Sequence, residues 1–410
     1  MRKTPTHAPM LQFPVVDDCL QIGGKPITEI ARAVGQTPFY AYDRRLMTER
    51  MQRLRQAFPP SLIIHFAIKA NPMPAVVQHM AGLADGLDVA SAGELRVALD
   101  SGMAAECISF AGPGKMDWEL ERTISAGAVI NLESETEMER AARIGERTGF
   151  RPRVAVRVNP AFELKASGVK MGGGAKPFGV DEERVPAMLS RLGELGLNFH
   201  GFHIYSGSQS LSAESIIEAQ NKTIELGIRL AQSAPSPFPV LNIGGGFGIP
   251  LFPGDEHLDL APIAENLARR MEELAGRIEG TRVAIELGRY LVGEAGLYVC
   301  EVVDRKISRG EVFLVTNGGL HQHLAASGNF GQVLRKNFPV VVANKFHGSE
   351  REHAHVVGPL CTPLDILAAR MELAVAGPGD LIAVYQSGAY GYTTSPIAFL
   401  GHPPPAQVLV

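Results

Sequence analysis

Between residues 62 and 287 the chain alternates short apolar runs with amphipathic stretches, the pattern of strands followed by helices in an α/β fold. The runs LIIHFAI (62–68), LDVA (87–90), CISF (107–110), AVINL (128–132), RVAVRV (153–158), FHGFHIY (199–205), VLNIG (240–244) and RVAIEL (282–287) predict eight strands. Helical spacing lies between them. Val185, Met188, Leu192 and Leu195 mark one helix, Ile263, Leu267, Met271, Leu274 and Ile278 another, and a further helix around Leu46–Phe58 precedes the first strand. Eight such units over this length suit a (β/α)8 TIM barrel, which typically takes about 250 residues. A doubly wound open sheet is the alternative, and the strand count favours the barrel.

From residue 286 the texture changes. LYVCEVVDR, EVFLVTN, FPVVVAN, HAHVVG, MELAVA and DLIAVYQ read as strands separated by Gly, Pro and Asn turns. The expected architecture is therefore a barrel over 43–285 followed by a mostly β C-terminal domain over 286–410, resembling a Greek-key β-barrel. The segment 1–42, with QIGGKPITEIARA and TPFYAYD, falls outside the eight-strand count and is expected to join that β domain. The first dozen residues read as a loose tail. The glycine-rich stretch 162–179 (FELKASGVKMGGGAKPFG) reads as a functional loop rather than a linker.

Composition narrows the class. The chain has 410 residues, a formal net charge of −4, 45% hydrophobic and 20% charged residues, an ordinary globular balance that gives no reason to expect nucleic acid or an anionic membrane as a partner. There is no run of about 18 apolar residues and no apolar core for a signal peptide at the N-terminus. The four cysteines (Cys19, Cys107, Cys300, Cys361) show no close pairing, so a reduced, cytoplasmic setting is expected.

In a barrel, reactive groups come from the C-terminal ends of the strands, and the polar residues gather there. In strand order they are Lys69 and Asn71, Asp88 and Ser91, Gly112–Lys115, Asn131–Ser134, Arg157 and Asn159, His203–Ser208, Gly244–Gly248, and Glu286–Arg289. Lys69 follows an apolar run, so partial desolvation is expected to lower its pKa and free the amine for a Schiff base; a lysine there can equally snorkel or pair with a carboxylate. Gly244–Gly248 opens the backbone N–H groups to an anion, with a following helix expected to add its dipole, although a tight βα connection also uses glycine. Glu286 could keep a pyridine nitrogen protonated, or bridge to Arg289. Together these three features meet the needs of pyridoxal 5′-phosphate (PLP). His203 could stack on the ring or be a core histidine. The pairs His321/His323 and His353/His355 lack a carboxylate or cysteine at ligand spacing, so no metal is expected.

The motifs HFAIKAN, GLDVASAGEL, FAGPGK, GFHIYSGSQ, NIGGGFG, ELGR, GPLCTPLD and GAYGY resemble, in that order, the fold-type III PLP decarboxylases that act on diaminopimelate, ornithine, arginine and related substrates. The resemblance runs from about residue 38 to the C-terminus. It implies a PLP-bearing barrel, a β domain, and a homodimer with shared active sites. It also implies catalytic roles for Lys69 as the lysine that carries PLP, for His203 on the ring, for Glu286 on the pyridine nitrogen, and for Cys361, from the partner subunit, as the proton donor to Cα. Ser208, Gly245, Gly246, Arg289 and Tyr390 would hold the phosphate or its neighbourhood, and Asp88 and Arg157 complete the cofactor-binding set.

The departures bear on substrate. Diaminopimelate decarboxylases carry Cys-Glu and ornithine decarboxylases Cys-Asp where this chain has Cys361-Thr362, and the stretch GGLHQHLAASGNFGQV (318–333) lacks the arginine and tyrosine of the diaminopimelate enzymes. KMGGGAKPFG, FHIYSGSQSL, ELGRYL, GPLCTPLD and SPIAFLGHPPPAQVL are similar to a divergent branch that holds the butirosin-pathway glutamyl-carrier-protein decarboxylase and the exosortase-associated decarboxylases. The expected substrate is thus an amino acid or an amino-acid conjugate, with an acyl carrier protein as a possible carrier.

Overall fold

The eight apolar runs form eight parallel strands in the computed structural model, which describes residues 6–162, 169–170 and 172–410. They are β1 (Ile63–Ala67), β2 (Gly86–Val89), β3 (Ile108–Phe110), β4 (Val129–Leu132), β5 (Arg153–Asn159), β6 (Asn198–Ile204), β7 (Val240–Gly245) and β8 (Arg282–Leu287). Each pairs in parallel with the next, and β8 returns to β1 through Ala284–Leu287 against Ile63–Phe66. The sheet is therefore a closed barrel, and the open-sheet alternative is excluded. The strands are almost wholly buried, as expected of parallel strands covered on both faces.

Helices wrap the outside because one face of each is apolar: Val185, Met188, Leu189 and Leu192 are buried in the helix Val185–Glu194, and Ile263, Leu267 and Leu274 in Ala261–Ala275. Several start on a serine whose hydroxyl accepts an otherwise orphaned backbone N–H: Ser91 from Glu94, Ser134 from Glu137 and Ser212 from Ser215.

The second unit is mostly β. Its strands are β9 (Gly296–Ser308), β10 (Glu311–Thr316), β11 (Val340–Val342), β12 (Arg351–Val357), β13 (Ile366–Ala374), β14 (Leu381–Val384) and β15 (Ala406–Leu409). The last of these was not anticipated; it lies in PPPAQVLV and is recruited by pairing in parallel with Phe39–Tyr42. That N-terminal strand also pairs antiparallel with Gly296–Val299. A core of Phe39, Ala41, Leu297, Val299, Ala383 and Tyr385 fills the unit.

Two compact units result. One comprises the chain up to Glu49, Pro250–His257 and Leu291–Val410; the other comprises Arg50–Ile249 and Leu258–Tyr290. The boundary drawn at 285/286 lies inside β8, because the change of texture begins while the last barrel strand is still running. Part of the glycine-rich stretch 162–179 lies outside the described residues; within it, Val169–Lys170 pairs with Gly207–Ser208. Among the described residues no helix is long and apolar enough to cross a membrane.

Candidate active site

The polar ends of the barrel strands meet as the sequence suggests. β1 stops at Ala67 and turns through the 3₁₀ segment Ile68–Ala70, which buries Ile68 and Ala70 and turns Lys69 outward. Lys69 is exposed, so the desolvation expected from the run before it is not present. The turn rotates the side chain off the apolar wall, leaving Nζ 6.0 Å from the centre of the Tyr205 ring.

His203 and Glu286 come together from β6 and β8. His203 is 2% exposed and Glu286 8%, and Nε2 stands 2.9 Å from Oε2. Burial pushes the Glu286 carboxyl up, but the charges of His203, Lys69 and Arg157 outweigh it and hold the group at about 2, ionised at neutral pH. Asn242, from β7, donates to the same oxygen at 3.2 Å.

Asp88, on β2, accepts from Ser109 Oγ at 2.6 Å and faces His65 Nδ1 at 3.0 Å, both through Oδ1. Its Oδ2 is buried with no hydrogen-bond partner among the described residues. Arg157, on β5, pairs with Glu133 at 2.7 Å and lies over the Phe178 ring. Burial alone would raise the Glu133 carboxyl. Arg157, Lys115 and the Gly179 N–H bring it below its usual value. Glu133 also accepts from the Gly112 N–H, so it clamps the loops after β3 and β5.

The glycine turn after β7 is a site of close backbone approach. A Cβ on Gly245 would stand 2.2 Å from the Glu286 carbonyl, and one on Gly246, at φ +76°, 2.3 Å from that of Gly207. This packs the turn against the loop that holds Ser208, where the Ser210 N–H donates to the Gly246 carbonyl and the Gly248 N–H to the Ser210 carbonyl. The expected helix dipole is absent at this turn: the next helix starts only at Ala261, because the intervening Pro250–His257 belongs to the β unit. Arg289 is half-buried in the short helix Arg289–Val292 that follows β8.

Cys361 and Tyr390 lie in the β unit. Cys361 is exposed and unoxidised; Tyr390 is half-buried at φ 53°. Asp365, whose part was not read from the motif GPLCTPLD, accepts from Leu360 N at 2.9 Å and from Leu320 N at 2.6 Å. It thereby ties the Cys361 loop to the segment 318–333. In that segment His323 faces Ser387 Oγ at 2.9 Å. His321 is fully buried, and burial with the nearby His402 lowers it to about 4, so it is neutral. His355 pairs with Glu311 at 3.1 Å and His353 is exposed.

Glu133, Asn242, Ser109, His65 and Asp365 form the supporting set that sequence reasoning missed. His65, Asn242 and Asp365 sit inside recognised motifs and Glu133 within the polar strand end Asn131–Ser134, but their roles depend on partners distant in sequence.

A lysine at a barrel strand end, a buried carboxylate held ionised beside a buried imidazole, and a glycine turn whose Cβ positions are closed define the class of PLP enzymes built on a barrel. The residues present fit the cofactor: neither His203 nitrogen has an aligned hydrogen bond among the described residues, and Asp88 Oδ2 is open. The chain belongs to the pyridoxal-dependent decarboxylases: the family described as "Pyridoxal-dependent decarboxylase, pyridoxal binding domain" matches residues 44–293. It is 37% identical to the L-glutamyl-[BtrI acyl-carrier protein] decarboxylase of Niallia circulans, covering 91% of this chain and 89% of that one. It is 30% identical to the diaminopimelate decarboxylase of Aquifex aeolicus, over 96% of this chain and 91% of that one. The crystal structure of diaminopimelate decarboxylase from Helicobacter pylori with L-lysine superposes with a TM-score of 0.82 at 26% identity, covering 93% of this chain and 94% of that one. The protein is a PLP-dependent decarboxylase of an amino acid or an amino-acid conjugate.

Proposed function

We propose that the chain removes the α-carboxyl group of an aminoacyl group carried on a larger conjugate, an acyl carrier protein in the leading case, rather than of a free diamino acid. The observation that carries this reading is the neutrality of two stretches that Asp365 joins. Thr362 stands beside Cys361, and 318–333 offers no lysine, arginine, aspartate or glutamate; its two histidines are His321, held neutral, and His323, which faces Ser387 Oγ. A distal ammonium or carboxylate left unpaired in a buried pocket costs several kcal/mol, whereas an amide- or thioester-linked tail carries no charge there. The similarity to the glutamyl-carrier-protein decarboxylase supports the same choice.

In this reading Lys69 holds the cofactor's aldehyde carbon, and Ser208, Gly245, Gly246, Arg289 and Tyr390 its phosphate. His203 attends the ring, and Asp88 and Arg157 complete the pocket. When bound, PLP supplies an electron sink for the pair left at Cα as CO2 departs. Glu286, ionised and buried, holds a proton at the pyridine nitrogen. The Cys361 thiol returns a proton to Cα, from the partner subunit of a homodimer with shared sites. Four free thiols support a reducing, cytoplasmic setting.

The test is a CO2-release screen that sets free meso-diaminopimelate, lysine and ornithine beside aminoacyl groups on a carrier protein. The conjugate is expected to lead by about two to three orders of magnitude in kcat/KM, the scale of a missing charge pair. Turnover of free meso-diaminopimelate at about 10⁴ M⁻¹s⁻¹ or above would overturn the reading.

A further inference from the structure

At the N-terminal mouth of the barrel, opposite the strand ends that carry Lys69 and Glu286, lies a cavity of about 450 Å³. All eight strands or the residues just before them reach it, with Asp85, Cys107, Arg153, His200 and Arg282 at the rim and His65 deeper in. That volume is in the range of small-molecule sites. Barrel interiors are ordinarily filled by layers of branched apolar side chains, so an open space with charged side chains among its lining calls for an occupant.

Its lining carries two arginines and two carboxylates. The guanidinium groups of Arg153 and Arg282 line the cavity, and neither has an ion-pair partner among the described residues. Asp85 is already engaged, by Arg55 at 2.8 Å and by the Ile64 N–H at 2.7 Å. Glu106 is the remaining carboxylate on the rim. His65 adds a hydrogen-bonding group: its Nδ1 is committed to Asp88, which leaves Nε2 for the cavity, and Gly86 makes room for it, since a Cβ there would stand 2.5 Å from Nε2. His200 is brought in by a β-bulge. The register of β6 against β5 shifts between Phe199 and Gly201, so His200 is the extra residue, and bulges of this kind re-aim a side chain. Burial first, then the charges of Arg153 and His65, lower His200 to about 4, so it enters as a neutral hydrogen-bonding group.

We propose that this mouth is a binding site for a small oxyanion of two or more negative charges, a phosphate or a polycarboxylate, held between Arg153 and Arg282 with His65 and His200 as hydrogen-bonding partners. Two guanidinium forks match such oxygens in geometry as well as charge. The cavity opens at the opposite end of the barrel from Lys69; its lining touches the supports of the cofactor pocket at His65, Ser109 and Asn242, whereas Arg153 and Arg282 take no part in that pocket.

Inorganic phosphate and citrate, titrated calorimetrically into the PLP-loaded enzyme at low ionic strength, are the probes. One saturable site per chain is expected. Affinity should fall at least about tenfold in Arg153→Met/Arg282→Met and in the exposed single variant Arg282→Gln, the scale of a lost charged hydrogen bond, while CO2 release stays within about twofold. Occupancy should also slow alkylation of Cys107, read by peptide mapping, with chloride at matched ionic strength giving no protection. Absence of saturable binding, equal affinity in wild type and Arg282→Gln, or equal protection of Cys107 by chloride would each overturn the proposal.

Discussion

The two units handle their chemical groups differently. In the barrel unit the buried groups are locked by neighbours from other strands or the loops that follow them: Glu286 by His203 and Asn242, Arg157 by Glu133, Asp88 by Ser109 and His65. In the β unit the groups of interest ride on turns. Cys361 is exposed on a loop pinned through the single carboxylate of Asp365, and Tyr390 sits at positive φ in a turn. Rigid strand ends suit a fixed cofactor, whose electronics depend on charge held in place. Loops can change composition without disturbing a barrel, which suits the role in substrate choice proposed for Thr362 and 318–333. The departures from the diaminopimelate enzymes agree with this division, since Thr362 and the neutral 318–333 both lie in the β unit.

The largest effect should come from the barrel. Lys69→Ala is expected to abolish CO2 release and covalent attachment of PLP; borohydride reduction followed by peptide mapping checks it, and label on another lysine would move the site. Next, Glu286→Gln should cut turnover by about two to four orders of magnitude with little loss of bound cofactor, measured by initial rates alongside PLP content. An unchanged rate would reduce Glu286 to a structural partner of His203.

The proposed sharing of sites between subunits is expected to give a smaller effect. Lys69→Ala and Cys361→Ala subunits, each inactive alone, should recover up to about a quarter of wild-type activity when mixed, from statistical pairing in a two-fold dimer with shared sites. No rescue after confirmed subunit exchange would place each site within one chain and end the proposed sharing.

The smallest effect probes how firmly the barrel network is coupled. Burial lowers the His65 pKa, but the charge and hydrogen bond of Asp88 raise it further, leaving it above its usual value. A group with a raised folded pKa stabilises the fold fully below its unfolded value, about 6.5, and loses that contribution as pH rises through the folded value. Wild-type Tm should therefore decline with rising pH through this window, and His65→Gln should flatten the slope, by about 1 kcal/mol or less. Parallel Tm–pH curves would show that the pair contributes nothing to stability.

The eight strands, their order, and the polar residues at their ends were legible because each is a local pattern: a short apolar run followed by a chemical group. The family motifs made Lys69, His203, Glu286 and Cys361 legible in the same way. What the linear pattern did not contain is which groups face each other. Glu133 meets Arg157 from another strand, and Asp365 joins two loops some forty-five residues apart. Such contacts depend on barrel register and on the turn each strand takes at its end. The turn at Ile68–Ala70, which exposes Lys69, the diversion of Pro250–His257 that removes a helix from the glycine turn, and the bulge that brings His200 to the cavity are all decided by packing among distant segments. Apolar spacing determined where strands and helices form, because burial acts residue by residue along the chain. Only the closed barrel decided which charges are paired, exposed or left facing a cavity, because electrostatic and hydrogen-bond partners are chosen by distance in space.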